Sequence, residues 1–361
     1  MTIFILFIAI VVIGVIQYFT LKNSLENVDE DYGTSAICVE PEEKLDLVLS
    51  FRNRSRLFIP YLRYQMTLPD GFNLVDPKVS AKISDARNTV WHTGGVVANT
   101  VWLGPRQRLE RRIPMTSPGR GRYSLHELTV YGGDFLGMKE SSRGVYRFRE
   151  VVVYPKEADL DSLDDAFGGF LGDLSVRRFL FEDPVLTLGT RDYTGREPMK
   201  SISWTQSARR GSLMVNNYDH TTEPSVSVIL NGTCGEDVTK ADLERCFSIA
   251  RAVCARLERK GAKYDFSMNV AMAGSLQADC AVPEGMGQRH FYGVLECLGR
   301  ATDQVRISAD RLVQGRLQVT SARGFIIITP ERDESAQRAI RMASRSGAAV
   351  LVLAAKEMTE C

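Results

Sequence analysis

The sequence predicts a multidomain protein: an N-terminal transmembrane helix, then an antiparallel β-sandwich, then an α/β Rossmann-like domain. An uncharged apolar run opens the chain, and short segments that alternate apolar with polar residues follow it. The last third alternates strand-like with helix-like segments. A chain of 361 residues exceeds one ordinary core, so we expect two folded domains besides the helix.

The N-terminal helix is predicted from residues 2–21, TIFILFIAIVVIGVIQYFTL, which carry no charge. As a helix this run would span about 30 Å, the thickness of a bilayer core. A cleaved signal peptide is the alternative, but the run lacks a basic start and a small-residue cleavage site. We therefore expect residues 1–22 to be a membrane anchor and the protein to cross the cell membrane once. Seven scattered cysteines without a CxxC pair favour reduced thiols and a cytoplasmic body.

Residues 34–155 are predicted to form the β-sandwich. KLDLVLSFRN alternates apolar and polar residues, FIPYLRYQMTLPDGF ends in a Pro-Asp-Gly turn, and YRFREVVVYP repeats the same period. The basic run RQRLERR, residues 106–112, falls within this rhythm. We interpret that run as the solvated face of a strand rather than a lipid- or nucleic-acid-binding patch.

An acidic, glycine-rich connector over residues 156–190 leads to the α/β domain at residues 191–361. SVSVILN, YDFSMNVAM, GFIIIT and AAVLVLAA are strand-like, and the continuous apolar runs are typical of a parallel sheet covered on both faces. Residues 237–261 predict an amphipathic helix that ends at Gly261. Its apolar face comprises Leu243, Phe247, Ala250, Cys254 and Leu257.

Ligands of such sheets bind beyond the carboxyl ends of the strands, where a von Willebrand factor A-like metal site requires Asp-x-Ser-x-Ser. Here Asn231, Thr233 and Gly235 stand at those positions, and Thr329-Pro330 replaces Thr-Asp on a later strand. Magnesium prefers carboxylate and hydroxyl oxygens. We therefore expect a degenerate site without a metal ion, and no cofactor.

Other motifs of catalysis are absent from the sequence. It contains no G-x-x-x-x-G-K-[ST] phosphate loop and no G-x-S-x-G elbow, and its four histidines lie apart from the cysteines. The formal net charge of +1 argues against a general nucleic-acid binder. We expect no catalytic residues and no nucleic-acid partner.

Residues 191–215, RDYTGREPMKSISWTQSARRGSLMV, resemble the signature of the bacterial domain-of-unknown-function 58 family, close to R-E-Y-x-x-G-D-x-x-R-x-I-x-W-x-x-S-A-R. We name these residues the signature segment. The match is carried by Arg191, Asp192, Tyr193, Ile202, Trp204, Ser207, Ala208 and Arg209, and Glu197 and Lys200 keep the charge type at two further positions. Arg196-Glu197 replaces the usual Gly-Asp pair. A second likeness, to the RGRY-to-DPFGL segment, rests on Arg120, Gly121, Tyr123, Asp134, Phe135 and Gly137.

The resemblance implies a von Willebrand factor A-like domain and association with MoxR-type AAA+ ATPases in the assembly or maturation of other proteins. We therefore expect a membrane-anchored, non-catalytic adaptor, held to the lipid bilayer by residues 2–21. The signature segment would either join the two domains or bind a partner. Two alternatives remain: a metal-dependent ligand-binding domain, and a hydrolase or transferase that uses Asp192, Glu197 or Ser207 with Arg209.

Overall fold

The computed structural model describes residues 2–75, 95–133, 139–159, 167–170, 172–174, 187–195, 197–218, 225–235, 238–274, 280–319 and 324–357. The chain divides into two compact units, Met1–Lys156 and Glu157–Cys361. Much of the predicted connector lies outside the described residues, as do Asp134, Phe135 and Gly137.

Within its described residues, the first unit contains one helix and three sheets. The helix is α1 (Thr2–Glu26), and the strands are β1 (Val28–Thr34), β2 (Cys38–Val39), β3 (Lys44–Asn53), β4 (Ile59–Thr67), β5 (Asn73–Leu74), β6 (Val96–Leu103), β7 (Arg108–Thr116), β8 (Gly121–Ser124), β9 (Leu128–Gly133), β10 (Glu140–Val145) and β11 (Glu150–Val153). The sheet orders are β1-β3-β7-β5, β10-β9-β4-β6 and β2-β11-β8. Every strand pair in the two four-stranded sheets is antiparallel.

The core of the first unit follows from the alternation of β3 and β4. Leu47, Leu49 and Phe51 of β3 are completely buried and alternate with residues on the opposite face. Phe51 stacks on Tyr64 of β4, with 5.1 Å between the ring centroids. The period-two pattern of KLDLVLSFRN therefore produces a strand with one face in the core, as predicted.

β1 lies at the edge of its sheet, and arginine side chains cover its outer backbone edge. The Arg143 Nη2 donates to the Val28 carbonyl at 2.8 Å, and the Arg149 Nε donates to the Tyr32 carbonyl at 3.2 Å. Arg147 Nη2 lies 3.5 Å from the Glu30 carbonyl between them. Three alternate carbonyl groups of β1 thus face guanidinium groups instead of a neighbouring strand.

Among its described residues, the second unit contains three sheets, five α-helices with the bounds given below, and short helical stretches at 167–170 and 172–174. Its strands are β12 (Thr187–Asp192), β13 (Met214–Tyr218), β14 (Ser225–Leu230), β15 (Lys263–Met268), β16 (Val270–Met272), β17 (Cys280–Gly285), β18 (Ala301–Val305), β19 (Gly324–Thr329) and β20 (Ala349–Ala354). The helices are α2 (Trp204–Arg210), α3 (Lys240–Arg259), α4 (Gln288–Arg300), α5 (Ala309–Val319) and α6 (Glu334–Arg345). The largest sheet has the order β17-β15-β14-β19-β20, and the pairs β12-β13 and β16-β18 are separate.

The five-stranded sheet is mixed. β14 pairs in parallel with β15 and β19, β19 pairs in parallel with β20, and β17 runs antiparallel to β15 at one edge. All residues of β14 and β19 are buried, which explains their continuous apolar sequences. Helix α3 begins with a capping box between Thr239 and Asp242, and Gly261, with φ of 64°, follows its end. Its predicted apolar face is buried throughout.

The predicted fold class is wrong, and with it the prediction of a single-pass membrane protein. The structure is built mainly of β-strands in six sheets, several of them small, instead of one sandwich followed by a von Willebrand factor A-like domain. Among the residues that the structure describes, no helix combines the length and the apolar character needed to cross a membrane. The apolar run lies in α1, which continues to Glu26, and Leu25 near its end packs against the core of the first unit.

Candidate functional site

The signature segment folds around one of the two-stranded sheets of the second unit, β12-β13. β12 and β13 pair antiparallel, with Arg191 opposite Val215 and Asp192 opposite Met214. A 3-10 helix (Met199–Ser201) and α2 occupy the connection between the two strands. The described residues of the segment therefore form one supersecondary structure, in which short local elements position the charged and aromatic residues.

Buried hydrogen bonds hold α2 against β13. The Ser207 hydroxyl donates to the Ser203 carbonyl at 2.8 Å and accepts from the Met214 N–H at 2.8 Å. Ile202, also buried, forms a β-bridge with Val215. Gly211, with φ of 71°, ends the helix in the left-handed region that favours glycine. The matched residues Ile202 and Ser207 thus have a structural role.

Glu197 fixes the loop that precedes the 3-10 helix. Its carboxylate accepts from the Thr194 hydroxyl at 2.8 Å and from Arg191 Nη1 at 2.6 Å, and the Thr194 N–H donates at 3.1 Å. The hydrogen bond from Thr194, together with that from Arg191, lowers the pKa of Glu197 to about 2. Tyr193 is half-buried, and its N–H donates to the Leu213 carbonyl at 2.9 Å.

The remaining residues of the segment form an exposed surface on and beside α2. Trp204 is 61% exposed and Met199 is 69% exposed. Lys200, Arg209 and Arg210 are exposed as well. We name these five residues the α2 surface. Ala208 lies one turn after Trp204 on the same flank of the helix, and its small side chain leaves the indole ring accessible.

Of the described charged residues in the signature segment, one pair forms an ion pair. Arg191 and Glu197 form an ion pair, whereas Asp192, Lys200 and Arg209 have no ion-pair partner among the residues described by the structure. These last three side chains point charge into solvent instead of into a network. The α2 surface therefore combines three cations, Lys200, Arg209 and Arg210, with an apolar ring and a thioether.

The positions of the degenerate metal site lie at the carboxyl ends of β14, β15 and β19. The Asn231 amide donates to the Thr329 hydroxyl at 3.0 Å, and the Asn269 amide donates to the Asn231 side-chain oxygen at 2.8 Å and to the Thr233 hydroxyl at 3.2 Å. Asn231, Asn269 and Thr329 are completely buried. Neutral amide and hydroxyl groups satisfy one another here, so the network needs no ion to hold the strand ends together.

Gly235 approaches a charged pair at the same edge of the sheet. A Cβ atom on Gly235 would lie 2.0 Å from Glu331 Oε1, and Lys356 Nζ lies 2.9 Å from Glu331 Oε2. No group of three or more His, Cys, Asp or Glu side chains within the described ranges is arranged to hold a metal ion. Sequence reasoning missed Asn269. Its position directly after YDFSM, the strand that follows SVSVIL in the α/β series, could have indicated that it lies at the same edge of the sheet.

The geometry of the signature segment does not favour acid–base or nucleophilic chemistry. A carboxyl group with a pKa near 2 stays ionised at neutral pH and is a poor proton donor, and Glu197 has this property. Among the described residues, the buried Ser207 hydroxyl is hydrogen-bonded to the Ser203 carbonyl and the Met214 N–H, and neither backbone group can activate it as a nucleophile.

Comparisons with known proteins do not identify a family. No family model matches the chain, and no curated protein matches it. A cohesin from Acetivibrio cellulolyticus, solved with its dockerin, shares 14% identity and has a TM-score of 0.25 over 35% of this chain and 98% of that one. A CARDB domain from Pyrococcus furiosus, solved with di-metal ions, shares 13% identity and has a TM-score of 0.20 over 36% of this chain and 96% of that one.

A third similar structure is the alkylpurine DNA glycosylase AlkC of Pseudomonas fluorescens bound to DNA with an abasic-site analogue. It shares 9% identity and has a TM-score of 0.21, over 37% of this chain and 33% of that one. Scores of this size do not bear on the function of the chain.

Proposed function

We propose that the protein is a non-catalytic adaptor that binds another protein through the α2 surface. The observation that carries the proposal is the exposure of Trp204 on a short helix whose opposite side is hydrogen-bonded in place. Tryptophan is among the residues that contribute most to protein–protein binding, and arginine is another. A rigid display of both residue types requires little ordering when a partner binds.

The first partner to test is a MoxR-type AAA+ ATPase. This choice rests on the resemblance of residues 191–215 to the domain-of-unknown-function 58 signature, with eight residues matched in type and spacing. Lys200 and Arg209 are free to pair with carboxylates on such a partner, and the planar fork of Arg209 suits a bidentate contact. The adaptor would then hold the ATPase during the assembly or maturation of a third protein.

The test is isothermal titration calorimetry of the full chain with a purified MoxR-type ATPase from the organism that encodes the chain. We expect binding that weakens at least tenfold in Trp204→Ala and in Arg209→Glu. The matched control is Trp102→Ala, because Trp102 of β6 is 60% exposed, almost the same as Trp204. Equal binding by wild type and Trp204→Ala, with both folded by circular dichroism, would remove the α2 surface from the proposal.

A further inference from the structure

A second surface with binding character lies on the first unit, along β1. It is a groove of about 690 Å³ whose floor is the outer face of β1, β3 and β7 and whose wall is the chain from Arg143 to Arg147. We name it the β1 groove. A hollow of about 540 Å³ continues it, shares Asp31, Ser50 and Arg108 with it, and adds Ile37 and Phe148. The surface therefore has a charged part and, beside it, two apolar side chains among charged ones, Ile37 and Phe148, which we name its apolar part.

Three of the four carboxylates that line the β1 groove, those of β1, are paired, and the fourth belongs to Glu26 at the end of α1. Asp29 accepts a hydrogen bond from Arg54, and Glu30 accepts one from Arg143 Nη2 at 2.6 Å. Asp31 lies 3.2 Å from Arg147 Nε and 3.6 Å from Arg149 Nη2. The arginines on the wall and Arg54 thus neutralise the acidic residues of β1.

Two arginines on the floor carry positive charge that the neighbouring carboxylates do not fully neutralise. Arg52 of β3 and Arg108 of β7 are direct cross-strand neighbours, an arrangement that costs free energy because like charges face each other. Arg108 Nε donates to the Ser50 hydroxyl at 3.2 Å and lies 3.9 Å from Glu110, which Arg112 Nε contacts at 3.0 Å. Within the described part of the chain, the Arg52 side chain has no hydrogen-bond or ion-pair partner. One carboxylate placed between Arg52 and Arg108 would relieve their repulsion.

The shape and charge of the surface decide what kind of molecule fits it. A nucleic acid would bring phosphates at every step close to Asp29 and Asp31 on the same floor. An extended peptide can instead place one carboxylate between the two arginines and the next side chain on the apolar part. Phe148 is 73% exposed and Ile37 is 64% exposed there, so both are open to contact with an apolar side chain.

We propose that the β1 groove binds an extended peptide of a partner protein, with an Asp or Glu carboxylate seated between Arg52 and Arg108 and an apolar side chain against Ile37 and Phe148. This surface belongs to the first unit and is independent of the α2 surface in the second. Trp204→Ala is therefore expected to leave it unchanged, which separates the two proposals experimentally.

The test is fluorescence anisotropy of the full chain with three labelled probes: a decapeptide of Ser with one central Glu-Val pair, the same decapeptide with Gln-Val in that place, and a single-stranded DNA decamer. We expect the Glu-Val peptide to bind at least tenfold more tightly than the other two. Arg52→Gln and Arg108→Gln should each weaken that binding at least fivefold. Arg111→Gln, at an exposed position on the same strand but outside the lining of the groove, should bind within twofold of wild type.

Several outcomes would overturn the proposal. The Glu-Val peptide could bind no better than the Gln-Val peptide, or the double variant Arg52→Gln/Arg108→Gln could bind as wild type does while its melting temperature is unchanged. Tighter binding of the DNA decamer, lost in the same double variant, would assign the groove to nucleic acid instead.

Discussion

Glu197 is the residue whose chemistry the structure defines most sharply. Its folded-state pKa of about 2 lies below the ordinary value of 4.5, because the Thr194 hydroxyl and then Arg191 bind the ionised form. A depressed pKa means that the interaction stabilises the fold fully above about pH 4.5 and loses this contribution as the pH falls towards 2. The loop beside the α2 surface should therefore remain ordered at mildly acidic pH.

We expect the carbon-13 chemical shift of the Glu197 carboxyl group to titrate with a midpoint near 2. Thr194→Val removes the hydroxyl that contributes most and should move the midpoint upwards, towards the ordinary value. A midpoint of about 4.5 in the wild-type protein would show that the hydrogen bonds to this carboxylate do not persist in solution.

At the scale of elements, a buried ion pair ties α5 to the main sheet. Arg316 Nη2 of α5 lies 2.7 Å from Asp265 Oδ1 of β15, and the Ser227 hydroxyl of β14 donates to the same oxygen at 2.8 Å. Asp265 is almost completely buried. A carboxylate in this position must be paired, because removal of its partner leaves an uncompensated charge away from water.

Arg316→Met should destabilise the protein by about 3–5 kcal/mol for this reason. Urea denaturation at neutral pH measures the change in the free energy of unfolding. The control is Arg332→Met, since Arg332 and Glu357 form a pair at 2.9 Å that is about half exposed, and such pairs contribute about 0–1 kcal/mol. Equal effects of the two substitutions would contradict the role assigned to burial.

Individual elements were predictable from the sequence where the pattern was local. The alternation in KLDLVLSFRN predicted the strand Lys44–Asn53, and the helical period over residues 237–261 predicted α3 with its stop at Gly261. The apolar run at the N-terminus also predicted a helix, which is α1, but the membrane span predicted from its hydropathy is not found among the described helices. Local composition identifies an element more surely than it identifies what surrounds that element.

The contacts at the candidate sites were less predictable because they join distant positions. Arg143 and Glu30 are separated by 113 residues, and Asn269 and Asn231 by 38. No spacing rule links such pairs in one sequence. The Arg191–Glu197 pair, six residues apart, lay within one segment and could be proposed beforehand as part of a charge network.

At the scale of the whole molecule, the two compact units have separate apolar clusters. Leu49 lies in the cluster of the first unit, and Ile327 lies with Phe325 and Val313 in a cluster of the second. Because each unit has its own core, we expect calorimetric unfolding in two transitions. Leu49→Ala should lower the temperature of one transition, at a cost of about 2–5 kcal/mol, and Ile327→Ala that of the other.

Differential scanning calorimetry of the wild-type chain and both variants decides this prediction. A single transition that shifts equally with either substitution would show that the two cores unfold together. Ser50→Ala is a suitable control, because Ser50 lies on the outer face of β3 and should leave both transition temperatures within about 2 °C.

The arginine-covered edge of β1 also affects the tendency of the protein to aggregate at high concentration. An uncovered edge strand is a template on which identical chains can add and polymerise into fibrils. An incoming strand would first have to displace Arg143, Arg147 and Arg149 from the carbonyl groups of Val28, Glu30 and Tyr32. We therefore expect these three side chains to oppose the addition of a further strand, and with it fibril growth, at that edge.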